Sequence, residues 1–178
     1  MSSSKVMVTG AAGFIGFHLC ERLLSTGVQV VGVDNLCPYY DLSLKEARLE
    51  RLRAHPSFSF YHENIENRET LAKIFEETSP ATVINLAAQA GVRYSVTHPH
   101  TYADSNLSGF VNVLECCRSF KISHLIYASS SSVYGLNSKQ PFEVNARTDH
   151  PISLYAATKK ANEVMAHAYS HLYGIPCT

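Results

Sequence analysis

A tyrosine and a lysine four residues apart, Tyr155 and Lys159, begin a long helix-like stretch near the end of the chain. Positions four apart share one face of an α-helix, so the phenol and the ammonium can act together. Because a neighbouring cation favours the phenolate, such a pair can turn tyrosine into a base near neutral pH. The same spacing also occurs on solvated helix faces and at interfaces, so the surroundings must support the interpretation.

Four consecutive serines, residues 129–132, follow an apolar strand-like segment upstream of that pair. Ligands of parallel α/β sheets bind at the carboxyl ends of the strands. A serine at this place can hydrogen-bond the substrate hydroxyl that Tyr155 deprotonates. A polar loop without a catalytic role is the alternative.

Glycines recur at every third position, Gly10, Gly13 and Gly16, between the first strand-like segment and the first helix-like one. This spacing allows a tight turn, lets backbone N–H groups approach a pyrophosphate and brings the helix N-terminus to it. The first gap is one residue longer than in the GxGxxG fingerprint. Since any tight strand-to-helix turn can use glycine, the pattern alone does not establish a dinucleotide site.

An acidic residue, Asp34, directly follows the second strand-like segment. A carboxylate there can accept hydrogen bonds from the adenosine ribose hydroxyls, whereas the alternative is a turn cap before Asn35. No Arg or Lys occurs among the next nine residues, and a carboxylate repels a 2′-phosphate. The sequence therefore predicts NAD rather than NADP as the cofactor.

Strand-like and helix-like segments alternate along the chain. Near-continuous apolar strands separated by helices predict a doubly wound parallel sheet in a three-layer α/β/α Rossmann fold. In the second helix, Leu44, Ala47, Leu49 and Leu52 are expected to mark the buried face. The predicted strands are 5–9, 28–33, 58–61, 82–86 and 125–128, and the predicted helices are 15–24, 42–54, 69–77, 101–120 and 155–173.

Composition excludes several function classes. Fifteen basic residues balance fifteen acidic ones without a basic run, so no nucleic-acid partner is expected. No apolar run of 18 residues or more occurs, and we expect a soluble cytoplasmic protein without a membrane partner. The five cysteines lack CxxC spacing and are expected to be reduced. His98 and His100 are expected in a loop, and no metal site is predicted.

These features together resemble the extended short-chain dehydrogenase/reductase family of nucleotide-sugar epimerases and dehydratases, over essentially the whole chain. The resemblance implies that Tyr155, Lys159 and Ser130 are catalytic. Among the serines, the family's spacing back from Gly135 implies Ser130, with Ser132 as a competitor. It also implies an NAD site, in which Asn64 replaces an Asp that holds the adenine in many relatives. The implied NAD-binding residues are Gly10, Gly13, Phe14, Ile15, Gly16, Asp34, Asn35, Asn64, Ile65, Leu86, Ala87, Ala88, Asn106, Tyr155 and Lys159.

Within that family, residues 34–36, 39–41, 44–49 and 87–95 are similar to those of UDP-glucuronate 4-epimerases. This similarity implies that Tyr155 takes the C4 hydroxyl proton while NAD takes the C4 hydride, and that the 4-keto sugar is then reduced on its other face to give UDP-galacturonate. Ser131 and Ser132 stand where related dehydratases carry carboxylates, which favours simple epimerisation. Epimerisation of UDP-glucose and NAD binding without turnover are the alternatives.

The resemblance also implies a substrate site and a dimer. Arg93 is a candidate for pairing with a sugar carboxylate or a diphosphate, although a surface ion pair is equally compatible with the sequence. Ser130, Ser131, Ser132 and Tyr155 complete the expected substrate contacts. Helices 101–120 and 155–173 are expected to pair across a two-fold axis in a homodimer.

The end of the chain, residues 174–178, has the pattern of a helix stop and then the start of a sixth strand. We therefore expect residues 1–178 to form the NAD-binding domain of a larger enzyme whose C-terminal substrate-binding domain is absent from this chain. On this expectation the chain binds NAD but alone shows little or no epimerase activity.

Overall fold

The computed structural model describes residues 5–137 and 140–178. Strands and helices alternate as the sequence predicts, with short helical segments before and after the fifth strand. The elements are β1 Lys5–Thr9, α1 Phe14–Ser25, β2 Gln29–Asp34, α2 Leu42–Arg53, β3 Phe58–His62, α3 Arg68–Thr78, β4 Thr82–Asn85, α4 Tyr94–Thr97, α5 Pro99–Tyr102, a π-helical segment Ala103–Ser108, α6 Gly109–Ser119, β5 His124–Tyr127, a 3₁₀ helix Ser131–Tyr134 and α7 Leu154–Tyr173.

The five strands form one parallel sheet in the order β3-β2-β1-β4-β5. The chain runs outward from β1 through β2 to β3, then returns to add β4 on the other side of β1. The loops after β1 and β4 consequently diverge from each other at the carboxyl edge of the sheet. This edge is where doubly wound folds bind their ligands.

Helices cover both faces of the sheet. One buried cluster joins α1 and α2 to one face through residues such as Phe17, Cys20 and Leu49. The other cluster joins α3, α6 and α7 to the opposite face through residues such as Phe75 and Leu114. The predicted three-layer Rossmann fold is confirmed. Among the described residues, no helix has both the length and the apolar character needed to cross a bilayer.

The predicted helix over residues 101–120 differs from the structure. Helix α5 begins two residues earlier, at Pro99, so Pro99 and His100 are helical rather than loop residues. The segment Ala103–Ser108 has π-helical hydrogen bonding, and regular α-helix resumes only at Gly109. Hydrophobic periodicity cannot reveal such a widened turn, because the apolar residues on both sides still face the sheet.

The predicted buried face of α2 is half wrong. Leu49 and Leu52 are buried, but Leu44 is 51% exposed and Ala47 is exposed as well. Their place is taken by Lys45, which lies four residues before Leu49 and therefore on the same face. A charged residue can occupy this buried position because it pairs with a carboxylate at the end of β2.

The end of the chain pairs with the sheet. Cys177 forms a parallel bridge to Leu125 in β5, and the amides of Leu125 and Tyr127 donate to the carbonyls of Pro176 and Thr178. Residues 176–178 therefore lie beside β5 as the start of a sixth strand would. The five cysteines are free thiols, as expected.

The turn after β1 depends on close backbone packing. Gly10 has φ of +71°, which favours glycine, and a side chain there would lie 2.9 Å from the amide nitrogen of Ala87. A Cβ at Gly16, in the first turn of α1, would lie 2.1 Å from the carbonyl oxygen of Gly10. Helix α1 can approach the turn after β1 only because Gly16 lacks a side chain.

Replacing Gly16 by Ala is expected to lower the free energy of unfolding by more than about 3 kcal/mol, because the clash is with backbone that cannot rotate away. Gly27→Ala is the matched control: its φ is +82° but no atom lies within 4 Å, so only the conformational cost of about 1 to 2 kcal/mol remains. Urea denaturation monitored by circular dichroism measures both. Equal losses in the two variants would contradict the packing argument.

Candidate active site

A cavity of about 420 Å³ lies at the carboxyl edge of the sheet, between the loops after β1 and β4. Its volume is in the range typical of small-molecule sites. The fold brings most of the predicted cofactor residues to its walls, together with both members of the tyrosine-lysine pair. The predicted residues that line it are Gly10, Gly13, Phe14, Ile15, Gly16, Asp34, Asn35, Asn64, Ile65, Leu86, Ala87, Ala88, Tyr155 and Lys159.

The glycine turn forms one wall of this cavity. Its N–H and C=O groups are packed against each other, with Gly13 N donating to Gly10 O at 3.0 Å. Phe14 and Ile15 at the N-terminus of α1 are 66% and 65% exposed, although both are large apolar residues. Apolar side chains exposed beside a helix N-terminus are typical of a ligand site, because a bound molecule can cover them.

Asp34 ends β2 with its side chain buried at the cavity wall. One carboxylate oxygen, Oδ2, accepts from the amide of Ala12 at 3.0 Å, and the other, Oδ1, accepts from the amide of Leu36 at 2.8 Å. Asp34 therefore stabilises both the turn after β1 and its own loop. Lys45 from α2 completes its surroundings, with Nζ 3.4 Å from Oδ1.

Asn35 and Asn64 face each other at the end of the cavity beyond Asp34. The side-chain amide of Asn35 donates to Oδ1 of Asn64 over 3.5 Å. The side-chain carboxylate of Glu63 accepts from the backbone amide of Asn64 at 2.8 Å. Glu63 lines the cavity too, although no sequence motif points to it. Asn64 thus offers the cavity a side chain that can both donate and accept.

Lys159 is fixed at the opposite end of the cavity. Its side chain is buried, and Nζ donates to the carbonyl oxygen of Ala128, at the end of β5, over 2.9 Å. Burial lowers the pKa of the Lys159 ammonium to about 8. The ring of Tyr155 lies edge-on to the ring of Tyr102, with 6.1 Å between centroids. The structure therefore places Tyr155 and Lys159 in one site. The Ala128 carbonyl fixes the ammonium of Lys159, and the ring of Tyr102 packs against that of Tyr155.

Asn106 does not line the cavity, although it was predicted to bind the cofactor. Its side chain is buried in the π-helical segment and is fully engaged: Oδ1 accepts from the amide of Gln89, and Nδ2 donates to Gln89 O and to Oγ1 of Thr158. Asn162 in turn donates to the backbone carbonyl of Asn106 at 2.6 Å. Asn106 therefore links the loop after β4 to α7.

Tyr102 supports the same loop, and sequence reasoning missed it. Its side chain is fully buried, and the single proton of its hydroxyl is shared between the carbonyl oxygens of Ala90 at 2.8 Å and Gly91 at 2.5 Å. Burial is the main cause that raises the pKa of Tyr102 to about 12. This phenol therefore stays protonated as a donor, and it differs in this way from a tyrosine that must act as a base.

The four serines have different surroundings. Ser129 lines the cavity and donates to Oε1 of Glu163 at 2.6 Å. Ser130 caps the 3₁₀ helix by accepting from the amide of Ser132 at 3.2 Å. Ser131 and Ser132 lie within that helix, and none of these last three lines the cavity. The chain turns into the 3₁₀ helix directly after Ser129, so the next three serines leave the cavity wall. The apolar pattern of the sequence could not indicate this turn.

The candidate substrate arginine lies outside the cavity. Arg93 is exposed at the start of α4 and forms no ion pair within residues 5–137 and 140–178. The alternative of a surface ion pair is thus not what the structure shows.

The ring of His98 stacks on that of Tyr94 with 3.9 Å between centroids.

The sequence profile of the GDP-mannose 4,6 dehydratase family matches residues 7–178. The chain belongs to this family. The result agrees with the resemblance to nucleotide-sugar epimerases and dehydratases that the glycine turn, Asp34 and the Tyr155–Lys159 pair indicated.

The proteins to which the chain is similar include 4-epimerases. The chain is 50% identical to UDP-glucuronate 4-epimerase 4 of Arabidopsis thaliana, over 97% of this chain and 40% of the relative. It superposes with a TM-score of 0.89 on UDP-glucuronic acid 4-epimerase from Bacillus cereus, crystallised with UDP-glucuronic acid and NAD (35% identity; 98% of this chain, 55% of that chain). For UDP-glucose 4-epimerase from Thermotoga maritima with UDP-glucose, the TM-score is 0.86 (32% identity; 97% of this chain, 53% of that chain).

The chain spans about half the length of the curated relatives that it matches. The shared half contains the five-stranded parallel sheet and the cavity at its carboxyl edge. The similarity of this family member to epimerases of two different UDP-sugars shows that the fold of this half does not by itself select the sugar.

The lowered pKa of Lys159 predicts a pH-dependent stability. Because the folded pKa, about 8, lies below the usual 10.5, the unfolded chain binds more protons between these pH values. The free energy of unfolding of the wild type should therefore rise relative to that of Lys159→Met by up to about 3 kcal/mol as the pH increases from 8 to 10.5.

Urea titrations of the ligand-free chain at several pH values measure this difference. Lys73→Met, which removes an exposed ammonium from α3, corrects for the loss of one charge. A difference between wild type and Lys159→Met that stays constant over this pH range would show that the ammonium is not destabilised by burial.

Proposed function

We propose that this chain is the NAD-binding domain of a nucleotide-sugar 4-epimerase that converts UDP-glucuronate to UDP-galacturonate. The observation that carries the proposal is that Tyr155 and Lys159 line the same cavity as the glycine turn and Asp34. A base and a dinucleotide-type turn in one cavity are what removal of a proton and a hydride from one carbon requires. Relatives named for this epimerisation support the choice of sugar.

The residues present fit NAD. Gly10, Gly13 and Gly16 line the cavity without side chains, so a pyrophosphate can approach the backbone of the turn and the N-terminus of α1. Asp34 presents a carboxylate at the place that a ribose occupies in dinucleotide folds, and Asn64 presents an amide beyond it. The chemistry that bound NAD would supply here is reversible hydride transfer at C4 of the sugar.

The proton steps fall to Tyr155 and Lys159. In the proposed reaction the Tyr155 phenolate takes the proton of the C4 hydroxyl and later returns it. The ammonium of Lys159 stabilises the phenolate, and its hydrogen bond to Ala128 O fixes the ammonium relative to β5. Ser130 lies on the same edge of the sheet, where we propose that its hydroxyl contacts the sugar.

The two residues after Ser130 favour epimerisation over elimination. Ser131 and Ser132 carry hydroxyl groups where, by the resemblance, related dehydratases have a carboxylate that assists elimination or handling of the C5 substituent. The 4-keto sugar then has no acid or base beside C5 from this segment. Further sugar contacts are assigned to a C-terminal substrate-binding domain, and we expect residues 1–178 alone to show little turnover.

A homodimer through α6 and α7 is part of the proposal. Val164, Leu172 and Tyr173 on α7 are 58%, 66% and 50% exposed, and Val111 on α6 is 36% exposed. These four apolar side chains form the candidate contact. Phe110, Val113 and Leu114 of α6 do not belong to this contact, because they pack in the core of their own chain.

Binding of NAD by the chain itself is the first test. Ile15→Glu is expected to weaken NAD binding at least tenfold, because the carboxylate would face the pyrophosphate, while the exposed position tolerates the charge without loss of folding. Val144→Glu, at a residue 96% exposed and away from the cavity walls, is the matched control and should bind like wild type. Isothermal titration calorimetry measures both. A wild-type chain that fails to bind NAD would refute the cofactor assignment.

The reaction itself can be tested in a chimera that joins this chain after Thr178 to the C-terminal half of the Bacillus cereus epimerase. The chimera should convert UDP-glucuronate to UDP-galacturonate, and Tyr155→Phe should lower kcat at least about 100-fold, since it removes the proton acceptor. Product ratios are measured by nuclear magnetic resonance.

The NAD content of each chimera serves as the folding control. A Tyr155→Phe chimera that retains NAD and also retains full activity would refute the role of Tyr155 as the base. A wild-type chimera that retains NAD but leaves UDP-glucuronate unchanged would count against the proposed reaction.

A further inference from the structure

The pairing of Lys45 with Asp34 concerns the selectivity of the cofactor site, and the inference rests on the proposed dinucleotide site. The two side chains come from different elements, β2 and α2, and meet at the cavity wall, where their exposed fractions are 4% for Asp34 and 7% for Lys45. An ion pair so well shielded from solvent acts strongly on any charge placed beside it. It therefore affects the affinity of the cavity for charged ligands.

Lys45 has donors to spare. Its ammonium carries three N–H groups, and within the described part of the chain its one hydrogen-bond acceptor is Oδ1 of Asp34, at the long distance of 3.4 Å. The ring of Tyr40 lies 5.3 Å from Nζ and shields the ammonium on another side. The remaining N–H groups belong to a buried cation that lines the cavity, so they are available to acceptor atoms of a ligand.

Asp34, in contrast, has little acceptor capacity left. A carboxylate offers about four acceptor positions, and the amides of Ala12 and Leu36 and the ammonium of Lys45 take three of them. Asp34 can thus accept a hydrogen bond from one ribose hydroxyl but has no room for two without losing a partner. Lys45 is the group beside it that can bind further oxygen atoms of the ribose.

We propose that Lys45 is a specificity-determining residue of the dinucleotide site, whose ammonium offsets the Asp34 carboxylate and moderates rejection of a 2′-phosphate. Asp34 alone would exclude NADP by charge repulsion. With Lys45 beside it, the ribose end of the cavity holds one negative and one positive group, and NAD is preferred by a smaller margin. Removal of Asp34 leaves Lys45 as a ready phosphate-binding cation.

The test measures the ratio of the dissociation constants for NADP and NAD in the 178-residue chain by isothermal titration calorimetry. Lys45→Met should raise this ratio about tenfold or more, because the carboxylate then faces the 2′-phosphate without a neighbouring cation. Asp34→Asn should lower the ratio about tenfold or more, since it removes the repelling charge. In the double variant Asp34→Asn with Lys45→Met, most of the gain in NADP binding should disappear.

Two control variants separate charge from packing. Lys45→Arg keeps the cation and should leave the ratio within about threefold of wild type. Arg51→Met removes a cation from the same helix, where Arg51 pairs with Glu21 at the surface, and should leave the ratio unchanged. Loss of packing alone would weaken NAD and NADP equally, so it would not move the ratio.

The outcomes distinguish this inference from the proposed function. If the wild type binds neither dinucleotide, the proposed function fails. If it binds NAD but Lys45→Met leaves the ratio unchanged, only the role of Lys45 is refuted. Should Lys45→Met not fold because it leaves the buried Asp34 carboxylate without its cation, the double variant Asp34→Asn with Lys45→Met decides, because a ratio equal to that of Asp34→Asn alone would show that Lys45 does not reach the 2′-phosphate.

Discussion

The buried side chain of Asn106 connects the three segments on which the candidate active site depends. It accepts a hydrogen bond from the backbone N–H of Gln89, in the loop after β4, and donates one to the backbone carbonyl of the same residue. It also donates to the hydroxyl of Thr158 in α7. Thr158 donates to the carbonyl of Tyr155, and Asn162 returns a bond to the carbonyl of Asn106. Because these groups are buried, breaking one bond would leave a polar group unpaired at a cost of about 1 to 3 kcal/mol. The orientation of α7, and with it of Tyr155, is therefore set by polar bonds as much as by apolar packing.

The fold could be predicted from the sequence because its signals are local. Strands such as Lys5–Thr9 are short segments with an apolar centre. The end of α7 is marked by Gly174, whose left-handed backbone conformation favours glycine. The glycine turn, Asp34 and the Tyr155–Lys159 pair could be predicted to meet because parallel strands bring their carboxyl ends to one edge. Each of these residues follows a strand or begins the helix after one, so the order of elements along the chain is enough to place it at this edge.

The remaining site residues depend on contacts between distant segments. In the sequence Lys45 is one charged residue among several in a helix, although its spacing from Leu49 places it on the buried face. Its partner, Asp34, belongs to another element, so the linear pattern gives no reason to bury a charge there. Tyr102 looks like an ordinary helix residue, and the resemblance pointed to Asn106 only as a cofactor contact, whereas both bond backbone groups of residues 89–91. No pattern of side chains in the sequence identifies a backbone group as a partner.

The contact between residues 176–178 and β5 also affects how the molecule behaves towards other copies of itself. Strand edges carry rows of unpaired N–H and C=O groups, and these can join strands from separate molecules into aggregates. The amides of Leu125 and Tyr127 and the carbonyl of Leu125 are already bonded to the chain's own backbone. This stretch of β5 is consequently closed to a foreign strand, and residues 176–178 are instead the backbone that another strand would meet on this side of the sheet.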